Sequence, residues 1–222
     1  MKLTIRDLYD LTHTAAAEYL GGFTYPWEAL AGISEFVKAY GESLPAEEYD
    51  HPSEDVWIAK DATVFATAYI KGPCVIGHKT EVRQCAFIRG SALIGDNCVI
   101  GNSTEIKNVI IFDNVQVPHY NYVGDSILGF HAHMGAGAVT SNVKADNKNV
   151  VIKNGTELLE TGRRKVGAML GDYADVGCNS VLNPGTVLGR HTRIYPTSCV
   201  RGAVPEYHIY KNKDNIVEII EQ

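Results

Sequence analysis

The sequence is poor in the features that announce membrane, secreted and nucleic-acid-binding classes. No apolar run reaches about eighteen residues, and the opening stretch Met1 to Asp7 has no apolar core of a secretory leader. Cysteine is scarce: the five residues are an odd number and none are in CxxC spacing, which argues against a disulfide framework and against a thiolate metal site. Positive charge is rarely clustered, the one short run being Arg163, Arg164 and Lys165. With a formal net charge of −6, general nucleic-acid binding is disfavoured. These absences predict a cytoplasmic protein with reduced thiols.

Also missing from most of the chain is the apolar spacing of a helix or of an ordinary strand. In its place is a period of six. Ile58, Val64, Ile70, Ile76, Val82, Ile88, Ile94, Ile100, Ile106 and Phe112 follow one another at that interval, with a small residue such as Ala62, Cys74, Ala86 or Cys98 four places after most of them. The ladder resumes at Tyr122, Leu128 and Met134, and again from Leu170 to Val200. Short strands meeting at corners, each side pointing one large residue inward, satisfy this pattern. The fold class is therefore an all-β solenoid, a parallel β-helix with three sides per coil. Cys74 and Cys98 fall at the small inward position and are expected to be buried packing residues.

Ahead of the ladder, residues 1–50 carry two amphipathic helical patterns. The first runs from Thr4 to Leu20 and stops at Gly21-Gly22; the second follows Pro26 and ends at Gly41. They form an N-terminal helical cap that closes the first coil against edge pairing, or else a substrate or partner domain. The β-helix domain is expected over 51–205 and a C-terminal tail over 206–222, with Ile216 to Ile220 as a last strand or cap. Two interruptions are expected. Between Phe112 and Tyr122 four extra residues within Gln116 to Asn121 should bulge beside Pro118. An inserted loop over 143–169 holds a hairpin with a type I′ turn at Asn154-Gly155 and could reach a neighbour in a trimer.

The outward position after each inward residue places Lys71, Arg89 and Lys107 one coil apart. Such a column of like charge is tolerated best against an anion, for which phosphate is the natural candidate, although splayed solvated side chains are the alternative. Glu54 and Asp55 could neutralise its lower end. His119 follows in the irregular stretch and suits a general base, with Glu105 to orient it, though a lone surface histidine is often inert. Gly135-Ala136-Gly137 offers backbone N–H groups to an oxyanion.

Glu105-Ile106-Lys107-Asn108, the run Pro118 to Asp125, Gly135-Ala136-Gly137 and Asn142 resemble, in order and spacing, the acetyltransferase domain of bifunctional N-acetylglucosamine-1-phosphate uridyltransferase/glucosamine-1-phosphate N-acetyltransferase. Thr161-Gly162-Arg163-Arg164-Lys165 resembles the archaeal-type sugar-1-phosphate nucleotidylyltransferases with a C-terminal acetyltransferase domain. The resemblance covers about Val56 to Pro205. It implies a left-handed β-helix, a homotrimer, acetyl-CoA as cosubstrate and no metal. By position it makes His119 the base, Glu105 its orienting partner and Asn142 a contact for the amine. Arg89 and Lys107 would hold the sugar phosphate, Tyr122 the phosphate or the sugar, Ala136 would meet the acetyl carbonyl, and Lys148 would lie near the substrate or the CoA. His133 stands where the family has a sugar-contacting asparagine, and Cys178 where it has a serine that contacts the acetyl donor.

The expected function is N-acetylation of glucosamine 1-phosphate or galactosamine 1-phosphate. A non-catalytic trimeric scaffold, binding a sugar nucleotide or a separate nucleotidyltransferase, is the alternative from another class. His131-Ala132-His133 also raises a zinc enzyme like the hexapeptide carbonic anhydrases, but His78 and His119 lack the spacing of the third ligand.

Overall fold

The computed structural model describes residues 1–220 and shows a left-handed parallel β-helix of about nine turns, with few helices. The inward residues make the core. Ile76, Ile94, Val82, Ile100, Ile88 and Ile106 are fully buried, and each buried aliphatic side chain of this size contributes about 1.5–3 kcal/mol. Corners turn through the left-handed backbone region at non-glycine residues, among them Asp55, Asn97, Asn108, Asn114, Asp125 and Asn179. Asn and Asp tolerate this conformation best of the residues with a Cβ. Glu221 and Gln222, the end of the expected tail, lie outside the described residues.

One face of the prism stacks the strands Thr63–Val64, Glu81–Val82, Val99–Asn102, Gln116–His119, His133–Met134, Asp175–Val176, Arg193–Ile194 and His208–Asn212. A second, the open face, stacks Tyr69–Ile70, Phe87–Ile88, the first half of Glu105–Ile111, the first half of Tyr122–Leu128, Val139–Thr140, Val181–Leu182 and Cys199–Val200. The remaining face runs from Val56–Ala59 through Cys74–Ile76 and Ala92–Ile94 to Ala203–Val204.

The break after Phe112 differs from the expectation. Nothing bulges at Gln116 to Asn121; each of two coils is instead one residue short. Ile94 pairs with Ile111 and Ile111's strand continues to Leu128, seventeen residues per coil in place of eighteen. The missing residue is at the corners of Glu105–Ile111 and Tyr122–Leu128, which therefore bend through from one face to the next as continuous seven-residue strands. Val117 and Val123 take the inward positions opposite Ile100 and Ile106, and Tyr122 faces outward opposite Glu105. Phe112 lies fully buried under the N-terminal segment, its ring 5.2 Å from that of Tyr9.

That segment holds α1 (Ile5–Leu8), α2 (Ala17–Gly21), α3 (Pro26–Ala29) and α4 (Ile33–Glu42). The helical cap lies along the third face of the prism. α4 packs on Cys74–Ile76, Ala92–Ile94 and Glu105–Ile111, and Asp172 N–H donates to Leu8 O, several coils further on. The first coil's edge is paired by the antiparallel strand Tyr49–Ser53. At the other end the tail folds into a hairpin, with Asn215–Glu218 antiparallel to His208–Asn212.

The insertion leaves after Asn142 and returns at Val166, whose N–H donates to Asn142 O. Its hairpin, Val151–Asn154 with Glu157–Glu160, has Gly155-Thr156 as the two loop residues. Only Gly155 there has positive φ, the pattern of a type II′ turn and not of the expected I′ turn. The hairpin folds back on its own solenoid. Val150 and Ile152 are fully buried, and a Cβ on Gly185 or Gly202 would come within 2.7 Å of Val150 Cγ1 or Lys153 O.

Candidate active site

Two columns of side chains carry the expected site residues, one at the end of the first face and one on the open face that follows it in each coil. The first is set by parallel register: His119 lies opposite Asn102, Gly137 N–H donates to His119 O, and Asn179 N–H donates to Ala136 O. His119, Ala136 and Cys178 are therefore stacked, one coil apart. His119 and Cys178 are exposed. No hydrogen bond holds the His119 ring among the described residues.

The backbone at this corner explains what Ala136 offers. Asn121 Oδ1 accepts the His119 N–H at 3.0 Å, while Asn121 Nδ2 donates to Gly135 O and Ala138 O. One coil on, the residue corresponding to Asn121 is Ala138, which has no acceptor. Gly135 N–H donates to Val176 O and Gly137 N–H to His119 O. Of the three amides expected to serve an oxyanion, only Ala136's is left without an acceptor among the described residues.

The second column is on the open face. Ile70, Ile88 and Ile106 are in register, so Lys71, Arg89 and Lys107 stack as expected. The charges are compensated differently from the expectation. Arg89 Nη1 is 2.7 Å from Glu105 Oε1, and Lys107 Nζ is 3.1 Å from Asp125 Oδ2. Asp55, expected to offset Lys71, instead pairs with Lys38 at 3.3 Å. The Glu105 hydrogen bond holds the Arg89 guanidinium above its ordinary range. Glu105 thus bonds Arg89, and no hydrogen bond joins it to His119.

Asp125, in sequence only the last residue of the run from Pro118, is the hub of this site. Its side chain is 5% exposed and accepts from Lys107, from Asn108 Nδ2 at 2.8 Å and from Asn142 Nδ2 at 2.5 Å. Asn142 Nδ2 also lies 3.1 Å from the Tyr122 hydroxyl, whose pKa is pushed up by burial and then by Asp125. A carboxylate this buried is tolerable because its oxygens are bonded to a cation and two amides. The signal in the sequence is the eighteen-residue interval from Lys107 to Asp125; the short coil shifts Asp125 by one position, opposite Asn108, and leaves Lys107 within reach.

The remaining predicted residues are elsewhere. His133 is on the first face, with Nδ1 2.8 Å from Asp175 Oδ1, and Asp175 is held below the usual carboxylate range chiefly by that bond. His131 stacks on Tyr173 at a corner, 5.3 Å between centroids, so the two histidines of the pair do not converge. Among the described residues no group of three or more His, Cys, Asp or Glu is placed to hold a metal ion. Lys148 is exposed on the insertion, with no ion pair among the described residues. No described helix is long and apolar enough to cross a membrane.

Fold and corner motifs together define the class: a hexapeptide-repeat β-helix similar to sugar-phosphate acetyltransferase domains. Residues 70–161 match the model of the GMPPB C-terminal domain. The chain is 33% identical over 156 residues to the bifunctional sugar-1-phosphate nucleotidylyltransferase/acetyltransferase of Sulfurisphaera tokodaii, covering 70% of this chain and 39% of that protein. It is 29% identical over 201 residues to the bifunctional protein GlmU of Methanococcus maripaludis, covering 90% of this chain and 49% of that one. The chain thus spans about half or less of these relatives. Among solved structures, the acetyltransferase domain of PglB from Neisseria gonorrhoeae, in complex with acetyl coenzyme A, aligns at 15% identity and a TM-score of 0.38. That alignment covers 74% of this chain and 57% of the other.

Proposed function

We propose that the chain is an acetyl-CoA-dependent N-acetyltransferase acting on an amino-sugar 1-phosphate, glucosamine 1-phosphate or galactosamine 1-phosphate. The observation that carries the reading is the corner itself: an unbonded imidazole at His119, a free N–H at Ala136 one coil above, and a cationic column on the adjoining face. His119 takes a proton from the sugar amine as nitrogen attacks the thioester carbonyl. The Ala136 N–H donates to the developing oxyanion, the carbon–sulfur bond breaks, and the proton passes to the departing thiolate. Lys107 and Arg89 hold the phosphate. Phosphate binding releases Glu105 from Arg89 and frees its carboxylate to orient His119.

Tyr122 and Asn142, tied to Asp125, border the sugar; Cys178 and Lys148 are assigned to the acetyl donor and substrate side by the resemblance. A homotrimer in the cytoplasm belongs to the same reading. Its support is the outward column of the open face, where Tyr69, Phe87 and Val181 are 61%, 40% and 36% exposed beside the cations. A neighbouring copy on that face would close the corner. A separate nucleotidyltransferase consuming the product would supply the activity that the longer relatives name.

The test is release of free thiol from acetyl-CoA with either amino-sugar phosphate, compared with His119→Ala. No release from the native chain at any neutral pH overturns the proposal. The compensated cations favour a second reading, since Glu105 and Asp125 already occupy Arg89 and Lys107 as they would in a trimeric scaffold that does no chemistry. A scaffold would bind sugar nucleotide or partner equally well with His119→Ala.

A further inference from the structure

The column that carries Lys71, Arg89 and Lys107 does not end there. Register places Gly124 above Lys107, then Ser141, Asn183 and Arg201, one per coil. Arg201 is thus four strand spacings from Lys107, roughly 19 Å. No single phosphate can contact both. Beside Arg201 the back-folded hairpin brings in Lys153, and the insertion's first residues bring in Lys144.

These residues border a cleft of about 520 Å³ between the hairpin and the upper coils. Its charge is positive in a chain whose net charge is −6. Lys144 has Asp146 3.4 Å away, whereas Lys153 and Arg201 are exposed and have no acidic partner among the described residues. Val143, Val151 and Pro184 add apolar lining beside the cations. The cleft is built firmly, because Val150 and Ile152 anchor the hairpin in full burial over the glycine corners at Gly185 and Gly202.

We propose that this cleft is a second anion site, for a nucleoside diphosphate. Lys153 and Arg201 would hold the two phosphates, and the Val143, Val151 and Pro184 wall would take the flat base. The volume suits a ligand of that size, and a lining that combines two cations without acidic partners and three apolar side chains matches its combination of charged phosphates and flat base. The site stands apart from the amino-sugar phosphate corner and does not depend on catalysis there.

Titration calorimetry of the full chain with ADP tests it, alongside Lys153→Ala, Arg201→Ala and Arg89→Ala. Each of the first two variants should weaken ADP binding roughly tenfold or more, the cost of one charge-assisted hydrogen bond, and the third should leave it unchanged. Circular dichroism checks that the variants fold, as expected for substitutions at exposed side chains. Repeating the titration with saturating CoA separates the two sources of this chemistry. Competition, with CoA affinity falling in the same two variants, makes the cleft part of the acetyl-donor site and overturns a second one; undiminished ADP binding assigns it to a separate nucleotide. No ADP binding by the native chain, or binding lost with Arg89→Ala but kept with Arg201→Ala and Lys153→Ala, overturns the site. Because the readout is binding, a chain that binds ADP but transfers no acetyl group would sink the catalytic reading alone.

Discussion

The helix-covered face and the open face are built from the same six-residue unit and differ in what stands outward. Under the helices the outward residues are Trp57, Val75, Leu93, Ile110, Ile127, Met169 and Val187 in register, none more than 7% exposed. On the open face the corresponding column is Tyr69, Phe87, Glu105, Tyr122, Val139, Val181 and Cys199. One face is apolar on both sides and must be covered. The other mixes aromatic, charged and aliphatic groups, which suits a surface that meets ligand and a second copy. On the proposed reading, function is separated from stability in this solenoid by face and not by distance along the chain.

The sharpest way to break that contrast is to place a charge beneath the helices. Ile110→Asp would bury an unpaired carboxylate between α4 and the prism and is expected to cost about 4 kcal/mol or more. Chemical denaturation should show a collapse of stability or no folded protein. If the variant is as stable as the native chain, the helices do not seal this face.

On the open side His119→Ala should do the reverse, lowering acetyl transfer by about 10²- to 10⁴-fold. The denaturation midpoint should stay within error, because an exposed ring with no hydrogen bond contributes little to stability.

A smaller effect is expected at Asp175. Its carboxyl is held below the usual range by His133, so the bond's stabilisation is present at neutral pH and is lost as pH falls through the folded-state pKa. The group is about half exposed, which limits the effect to about 1 kcal/mol after screening. Native chain and Asp175→Asn should therefore differ slightly in stability at pH 7 and converge in acid; a difference that grows in acid would contradict this linkage.

The smallest change separates the thiols. Burial pushes Cys74 and Cys98 up to about 12, whereas Cys85, Cys178 and Cys199 are exposed. A thiol reagent should label the latter three in the native state and reach Cys74 and Cys98 only on unfolding, as read by peptide mass spectrometry.

Much of this was legible in the sequence because a solenoid repeats one local rule. An inward Ile or Val every sixth residue stacks each coil on the last, so the cationic column and the inward cysteines follow from counting. Counting failed where the rule lost a residue. A shortened coil leaves the apolar spacing ambiguous between Ile111 and Phe112 and between Tyr122 and Val123, and a strict period of six selects Phe112 and Tyr122 where the structure turns Ile111 and Val123 inward. The face that the helices cover has its own signal in the sequence: an apolar residue stands just before the inward one at Val75, Leu93, Ile110 and Ile127.

The sequence by itself determined the architecture, since a six-residue period of large inward side chains has few ways to bury itself other than a stacked prism. It also placed His119, Ala136 and the three cations at their positions along that prism. Only the tertiary structure decided their electrostatic partners. Glu105 bonds Arg89, Asp125 gathers Lys107, Asn108 and Asn142, and the insertion folds back to bring Lys153 beside Arg201. Side-chain pairing depends on which atoms fall within a few ångströms after every corner has turned, and a single missing residue moves that outcome by a whole position.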